Sequence, residues 1–129
     1  GRQSPHLPTL AESLGFSVSH DLHSSLQTLI DCFSLELVAY TRGKEGTTLC
    51  STAQLISAPP PDFSDTPVSR NIFADSVGAG DACAAGILTG TMLGWDLPRT
   101  LHAANLLGAY VASQAGATPI IPESILEAI

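Results

Sequence analysis

The stretch Asp75-Ser76-Val77-Gly78-Ala79-Gly80-Asp81 precedes a run of small and aliphatic residues, Ala82 to Leu88, whose spacing predicts a buried helix. The first N–H groups of a helix have no partner within it, and the helix dipole adds a partial positive charge there. Because Gly78 and Gly80 lack a Cβ atom, an anion can approach those N–H groups closely. The sequence therefore predicts a phosphate-binding turn at the start of this helix.

Asp81 directly follows the second glycine, and from the residues alone two interpretations of it stay open. The carboxylate can cap the helix, as Asp commonly does. Beside a bound phosphate it can instead take the proton of an attacking hydroxyl group. By the same local reasoning, Asp75 is a turn residue that closes a short predicted strand, Asn71 to Ala74.

The string from Asp75 to Asp81 resembles the C-terminal signature of the ribokinase (PfkB) family of carbohydrate kinases, Asp-Thr/Ser-x-Gly-Ala-Gly-Asp, at every fixed position. In that family the Gly-Ala-Gly turn forms an anion hole for the transferred phosphoryl group, and the last Asp is the catalytic base. The resemblance implies that Gly78-Ala79-Gly80 is the anion hole and Asp81 the base. It also implies that Asp75 is a ligand of a monovalent cation such as K⁺.

A second motif, Thr41-Arg42-Gly43-Lys44-Glu45-Gly46, is typical by itself of a hairpin turn, because Gly43 and Gly46 accept positive φ. It also resembles the family's Thr-x-Gly-x-x-Gly segment, which lies along the phosphates and ribose of the nucleotide. The resemblance implies that Thr41, Gly43 and Gly46 bind the nucleotide. The two interpretations are compatible, since a hairpin tip can bind a ligand.

Asn105 lies on a helix predicted from about Pro98 to Gln114, with Asp96 as its cap. By spacing alone, an amide there is a solvated or locally bonded residue. In the family an Asn or His at this step of the penultimate helix meets the adenine. Counting back from Gly116-Ala117 gives Asn105 that position, so the resemblance implies that it contacts the base of ATP or ADP.

The remaining chain predicts an α/β domain, in which helices alternate with short apolar strands. The tract from Ala58 to Pro67 is predicted to be a loop because of its prolines, and residues 62–70 look like an elaboration with no assigned role. The resemblance implies a ribokinase-like (Rossmann-like) three-layer fold, of which the chain carries the C-terminal portion of the central sheet with flanking helices. The other predicted elements are helices at Leu7–Leu14, at about Ser24 to Phe33 with Ser24 or Ser25 as cap, and at Pro122–Ile129, and strands at Leu35–Thr41 and Thr52–Ser57.

Composition excludes several classes of function. The 129 residues carry a formal net charge of −7, with twelve acidic residues against five Lys and Arg, so no nucleic-acid partner is expected. Three cysteines without a Cys-x-x-Cys pair predict a reducing, cytoplasmic location, and no signal peptide is expected. The longest uncharged run, residues 100–122, contains prolines and polar residues, which predicts a buried helix and loop without membrane association.

The length predicts a single domain, residues 1–129, which is short for a two-lobed enzyme. Family members are more than twice as long, so the resemblance implies a C-terminal part that binds ATP and carries the catalytic residues, without the N-terminal sugar-binding lobe. It implies ATP-dependent transfer of a phosphoryl group to a hydroxyl of a sugar or nucleoside in the full-length protein, with Mg²⁺ and K⁺, and an isolated chain with little activity. No Gly-x-x-x-x-Gly-Lys-Ser/Thr loop is present.

Two positions depart from the family's pattern. Relatives often carry Asn-x-x-Glu, linked to metal and phosphate handling, where this chain has Gln3-Ser4-Pro5-His6, and some offer a cation-binding hydroxyl where it has Ile120. An alternative therefore stays open, namely a non-catalytic module or degenerate relative. Such a module would expose a sheet edge and apolar faces, through which it would form a homo-oligomer or bind another chain.

Overall fold

The computed structural model describes residues 21–63 and 71–129. The helix predicted at Leu7–Leu14 and the departure at residues 3–6 lie outside the described residues. The described elements are helix α1 (Leu22–Phe33), strand β1 (Leu37–Thr41), a 3₁₀ turn (Gly43–Glu45), strands β2 (Thr47–Ser51) and β3 (Leu55–Ala58), and helices α2 (Ala79–Met92), α3 (Leu97–Ala112) and α4 (Glu123–Glu127). The strands form one sheet in the order β1-β2-β3.

The described residues form two compact units. The first contains residues 21–38 and 50–54, and the second contains residues 39–49, 55–63 and 71–129. In the first unit α1 begins after Asp21, whose carboxylate accepts hydrogen bonds from the Ser24 hydroxyl at 2.8 Å and the Ser24 N–H at 3.1 Å. These bonds stabilise the ionised form, so the pKa of Asp21 is lowered. The prediction of Ser24 or Ser25 as cap was wrong, because both lie inside the first turn and the carboxylate before them takes the orphan N–H.

The hairpin of β1 and β2 is confirmed in the second unit, where the Arg42 N–H donates to the Gly46 carbonyl at 2.9 Å. Gly43 and Gly46 have φ of 55° and 91°, the positive values expected of them. The strand predicted at Thr52–Ser57 begins later than expected, at Leu55, because β2 continues to Ser51 before the chain turns.

Helices α2 and α3 pack closely because small residues face each other. A Cβ atom built on Gly86 would lie 2.9 Å from the Ala104 Cα atom, so a larger residue would separate the helices. Between them Asp96 accepts the Arg99 N–H at 2.8 Å, which confirms the predicted cap of α3. The buried core contains Leu106, Tyr110 and Val111 of α3 together with Ile125 of α4.

The strand predicted at Asn71 to Ala74 was wrong, since this segment forms a turn. The Asn71 side-chain oxygen accepts the Phe73 N–H at 2.9 Å, and the Ala74 N–H donates to the Asn71 carbonyl at 2.9 Å. The Asn71 N–H donates to the Ser113 carbonyl at 2.8 Å. Because these backbone groups bond within the turn and to the end of α3, they do not form a strand ladder.

Candidate active site

A cleft of about 520 Å³ opens in the second unit. Four parts of the chain line it: the hairpin from Thr41 to Thr47, the segment Pro60–Phe63, the start of α2 with the residues before it, and one face of α3. We call Pro60–Phe63 the proline wall and Asp75–Asp81 the glycine corner. The volume is in the range of small-molecule sites.

The glycine corner turns sharply at Gly78, which has φ of +84° and immediately precedes α2. A Cβ atom there would collide with the carbonyl of Ala117 and lie 2.8 Å from its Cα atom, so the position requires glycine. Gly80 has open space around it and lines the cleft. Among the described residues, the N–H groups of Gly80 and Asp81 have no backbone acceptor. The corner thus presents two orphan donors at a helix N-terminus.

Asp81 is the third residue of α2 and is exposed. It does not cap the helix, because Gly78 occupies the cap position and Asp81 lies inside the first turn, where no side-chain capping bond is found. Within residues 21–63 and 71–129 no hydrogen bond or ion pair to the Asp81 carboxylate is found. It adjoins Gly80 at the edge of the cleft without lining it. The capping interpretation does not hold, and the role of base stays a prediction.

Asp75 lines the cleft and ties two loops together. Its Oδ1 accepts the Val77 N–H at 3.0 Å, and its Oδ2 accepts the Gly116 N–H at 3.2 Å. The first bond is an Asx turn, so the interpretation of Asp75 as a turn residue is confirmed, although no strand precedes it. Each oxygen keeps a further lone pair, so the carboxylate remains able to bind a cation.

The hairpin brings Thr41 and Gly43 to the cleft but not Gly46, which is buried beneath the carbonyl of Ala58. It also contributes Lys44, which sequence reasoning missed as a site residue. Of the described cleft-lining residues, Lys44 alone is basic. The sequence signal that could have identified Lys44 is its position between Gly43 and Gly46 of the hairpin motif.

Asn105 reaches the cleft from α3 but is only 6% exposed. Its side-chain nitrogen donates to the Ala58 carbonyl at 2.9 Å and to the Pro59 carbonyl at 3.4 Å. The residue is therefore neither solvated nor bonded within its own helix, in contrast to the expectation from spacing. The adenine contact implied by the family stays a prediction.

The proline wall was predicted only as a loop. Phe63 at its end packs edge-on against Tyr110, with ring centroids 6.3 Å apart and planes at 81°. The Tyr110 hydroxyl donates to the Ile120 carbonyl at 3.0 Å, so the same side chain also holds the loop that follows α3. These contacts join residues far apart in the chain, which explains why local patterns missed them.

The described part of the chain contains no group of three or more His, Cys, Asp or Glu residues placed to hold a metal ion. Nor does any of its helices combine the length and apolar character needed to cross a bilayer.

The fold and the sequence both match known kinases. Ribokinase from Thermotoga maritima superimposes with a TM-score of 0.66 at 15% identity, covering 91% of this chain and 37% of that one. Adenosine kinase from Sinorhizobium meliloti gives 0.65 at 26% identity, covering 85% and 30%. The predicted ribokinase-like α/β fold is confirmed.

Among curated relatives, the bifunctional protein HldE of Koribacter versatilis is 31% identical over 129 residues, and that of Shewanella sediminis is 27% identical over 127. Each alignment covers 98% of this chain but only 25% of the relative, so the chain spans about a quarter of their length. The model of the pfkB family carbohydrate kinases matches residues 9–124. With a family match over most of its length, and a fold that agrees, the chain belongs to the pfkB family of carbohydrate kinases.

Proposed function

We propose that the chain forms the nucleotide-binding and catalytic part of a kinase that transfers the γ-phosphoryl group of ATP to a hydroxyl of a sugar. The observation that carries the proposal is the glycine corner, whose Gly80 and Asp81 N–H groups lack acceptors among the described residues. Because the chain spans a quarter of its curated relatives, the acceptor site and the activity of the whole protein belong to the proposal.

The cleft suits a polyanion at one end. Lys44 and the N-terminus of α2 both line it, and each favours negative charge. The nucleotide phosphates would lie along the hairpin from Thr41 to Lys44 and point towards the corner. In that position the two orphan N–H groups donate to oxygens of the transferred group, where charge increases in the transition state.

Asp81 would act as the base. Its carboxylate is exposed beside Gly80, so an acceptor hydroxyl can reach it while facing the bound phosphoryl group. Proton transfer to a positioned carboxylate typically contributes about 10²- to 10⁴-fold to the rate. This geometry uses positioning and electrostatics, which dominate catalysis of phosphoryl transfer.

Mg²⁺ and a monovalent cation fit the donors at the cleft. Magnesium is commonly held by one or two carboxylates together with substrate phosphates, and Asp62 and Asp75 both line the cleft. When bound, the metal neutralises charge on the phosphates. Asp75, with its orientation set by Val77 and Gly116, would serve K⁺ as the family resemblance implies.

The decisive experiment replaces Asp81 by Asn in the protein that carries this chain. We expect kcat to fall by about 10²- to 10⁴-fold while the Kd for ATP stays within twofold, because the amide keeps the shape but cannot accept the proton. The matched control is Asp31→Asn, an exposed position on α1 outside the cleft, which should retain full turnover. An Asp81→Asn variant with normal kcat would remove the assigned role.

Nucleotide binding can be tested on the 129 residues alone. We expect ATP or ADP with Mg²⁺ to raise the midpoint of thermal unfolding modestly, since a ligand that binds the native state stabilises it. We expect little sugar phosphorylation by the isolated chain. If millimolar nucleotide leaves the midpoint of thermal unfolding unchanged, the result would favour a non-catalytic module.

A further inference from the structure

Asn105 bonds, through its side-chain nitrogen, the backbone that leads into the proline wall. The side-chain nitrogen bonds the Ala58 and Pro59 carbonyls, at 2.9 and 3.4 Å. A primary amide has two donor hydrogens and one acceptor oxygen. A ligand in the cleft would therefore compete with these two carbonyls for the side-chain nitrogen, whereas Oδ1 remains available as an acceptor.

Three consecutive prolines limit the hydrogen bonds that the backbone next to Asn105 can make. Pro59, Pro60 and Pro61 have no N–H, so they can be tied by hydrogen bonds only through their carbonyls. Beyond them, Phe63 rests on Tyr110. Asn105 and Tyr110, both on α3, thus contact the chain at the two ends of the wall.

A second cavity of about 470 Å³ lies behind the wall. Pro60, Pro61 and Asn105 line both this cavity and the cleft, and Leu101 and His102 line the rear cavity only. Pro60 and Pro61 thus have open space on both sides, whereas Phe63 is packed against Tyr110. Loss of the bonds from Asn105 would therefore let the proline end of the wall move backwards and widen the cleft.

We propose that Asn105 is a positioning residue, whose side-chain nitrogen fixes the proline wall and thereby sets the width of the nucleotide cleft. The proposal rests on the proposed function in that the ligand of the cleft is a nucleotide. In this proposal Asn105 does not contact the adenine but holds the surface against which the nucleotide packs.

The substitution Asn105→Asp separates the two roles. It keeps the shape and the acceptor at Oδ1 but replaces the N–H donors by an oxygen that faces two carbonyls. We expect Asn105→Asp and Asn105→Ala to raise the Kd for ATP equally, by about 3- to 10-fold, the equivalent of one neutral hydrogen bond. In steady-state assays of the protein carrying this chain, the KM for ATP should rise while kcat stays the same.

The matched control is Arg99→Ala. Arg99 lies on the same helix, lines neither cavity, and its Nε donates to the Ile129 carbonyl at 3.2 Å, so its replacement removes a similar bond away from the cleft. It should leave the Kd unchanged. Hydrogen exchange at the Asp62 and Phe63 amides should accelerate in both Asn105 variants and stay normal in the control.

Several outcomes would overturn the proposal. They are an Asn105→Asp variant that binds ATP normally while Asn105→Ala does not, exchange at the wall that neither variant changes, or a fall in kcat at constant KM. If the Asn105 variants fail to fold, Pro60→Gly loosens the wall directly, and normal ATP affinity in that variant would refute the role of the wall. Failure of the proposed function gives a different result, a wild-type protein that binds no nucleotide although exchange at the wall still responds to Asn105.

Discussion

The glycine corner and the proline wall bound the same cleft, but the residues that shape their backbones lie at different distances along the chain. The corner takes its turn from the positive φ of Gly78 and the bond from Val77 to Asp75, within four residues, and the bond from Gly116 to Asp75 then joins it to a distant loop. The proline wall depends on Asn105, 47 residues after Ala58, and on Tyr110. A turn formed by neighbouring residues can be predicted from the sequence, whereas a contact between distant segments is found only in the folded structure.

The largest effect on stability is expected from Gly78→Ala in the corner. Alanine would be forced to φ of +84°, and its Cβ would collide with the Ala117 carbonyl. We expect a loss of about 1–3 kcal/mol in the free energy of unfolding, measured by urea titration, together with loss of turnover. A free energy of unfolding equal to that of the wild type would show that the position of Gly78 accommodates a side chain.

Gly80→Ala is the matched control in the same corner. No atom lies within 4 Å of a Cβ built there, and α2 already has helical geometry at this residue. We expect unchanged or higher stability. The new methyl group would nevertheless stand in the cleft beside the orphan N–H groups, so ATP should bind about tenfold more weakly. Glycine is thus required at position 78 for the fold and at position 80 for ligand binding.

Short-range signals also explain what the sequence predicted correctly elsewhere. The cap at Asp96 acts on an N–H three residues away, and the hairpin closes over the five positions from Arg42 to Gly46. The predicted strand at Asn71 to Ala74 fails for the opposite reason. A strand needs a neighbour, and the backbone of this segment bonds instead to itself and to Ser113.

On the proline wall, Phe63→Ala tests the contact at the far end from Asn105. It removes a half-buried ring that packs edge-on against Tyr110, so we expect a loss of about 1–2 kcal/mol and a rise in the Kd for ATP. The matched control is Phe73→Ala, because that ring is 74% exposed. Equal effects of the two substitutions on ATP affinity would mean that the wall is not held through Tyr110.

The smallest effect is on the reactivity of the cysteines. It reports whether the cleft between the glycine corner and the proline wall is occupied. Cys83 is buried and lines the cleft, Cys50 is fully buried away from it, and Cys32 is exposed. We expect iodoacetamide to modify Cys32 first in the folded chain. Bound ATP should slow modification of Cys83 only, by a factor set by the occupied fraction, with peptide mass spectrometry as the measurement.

The pH dependence of this labelling is informative for Cys50. Burial raises the pKa of Cys50 above the ordinary 9.0, against a smaller opposing effect of the hydrogen bond from Gln27. Since the thiolate is the reactive form, modification of Cys50 should stay slow at pH 8 and accelerate only above pH 9. A raised pKa in the folded state means that the contribution of Cys50 to stability is complete below pH 9 and declines as the pH rises through the folded value. If ATP protected Cys50 as strongly as Cys83, the ligand would be acting on the whole fold and the cleft would not be its site.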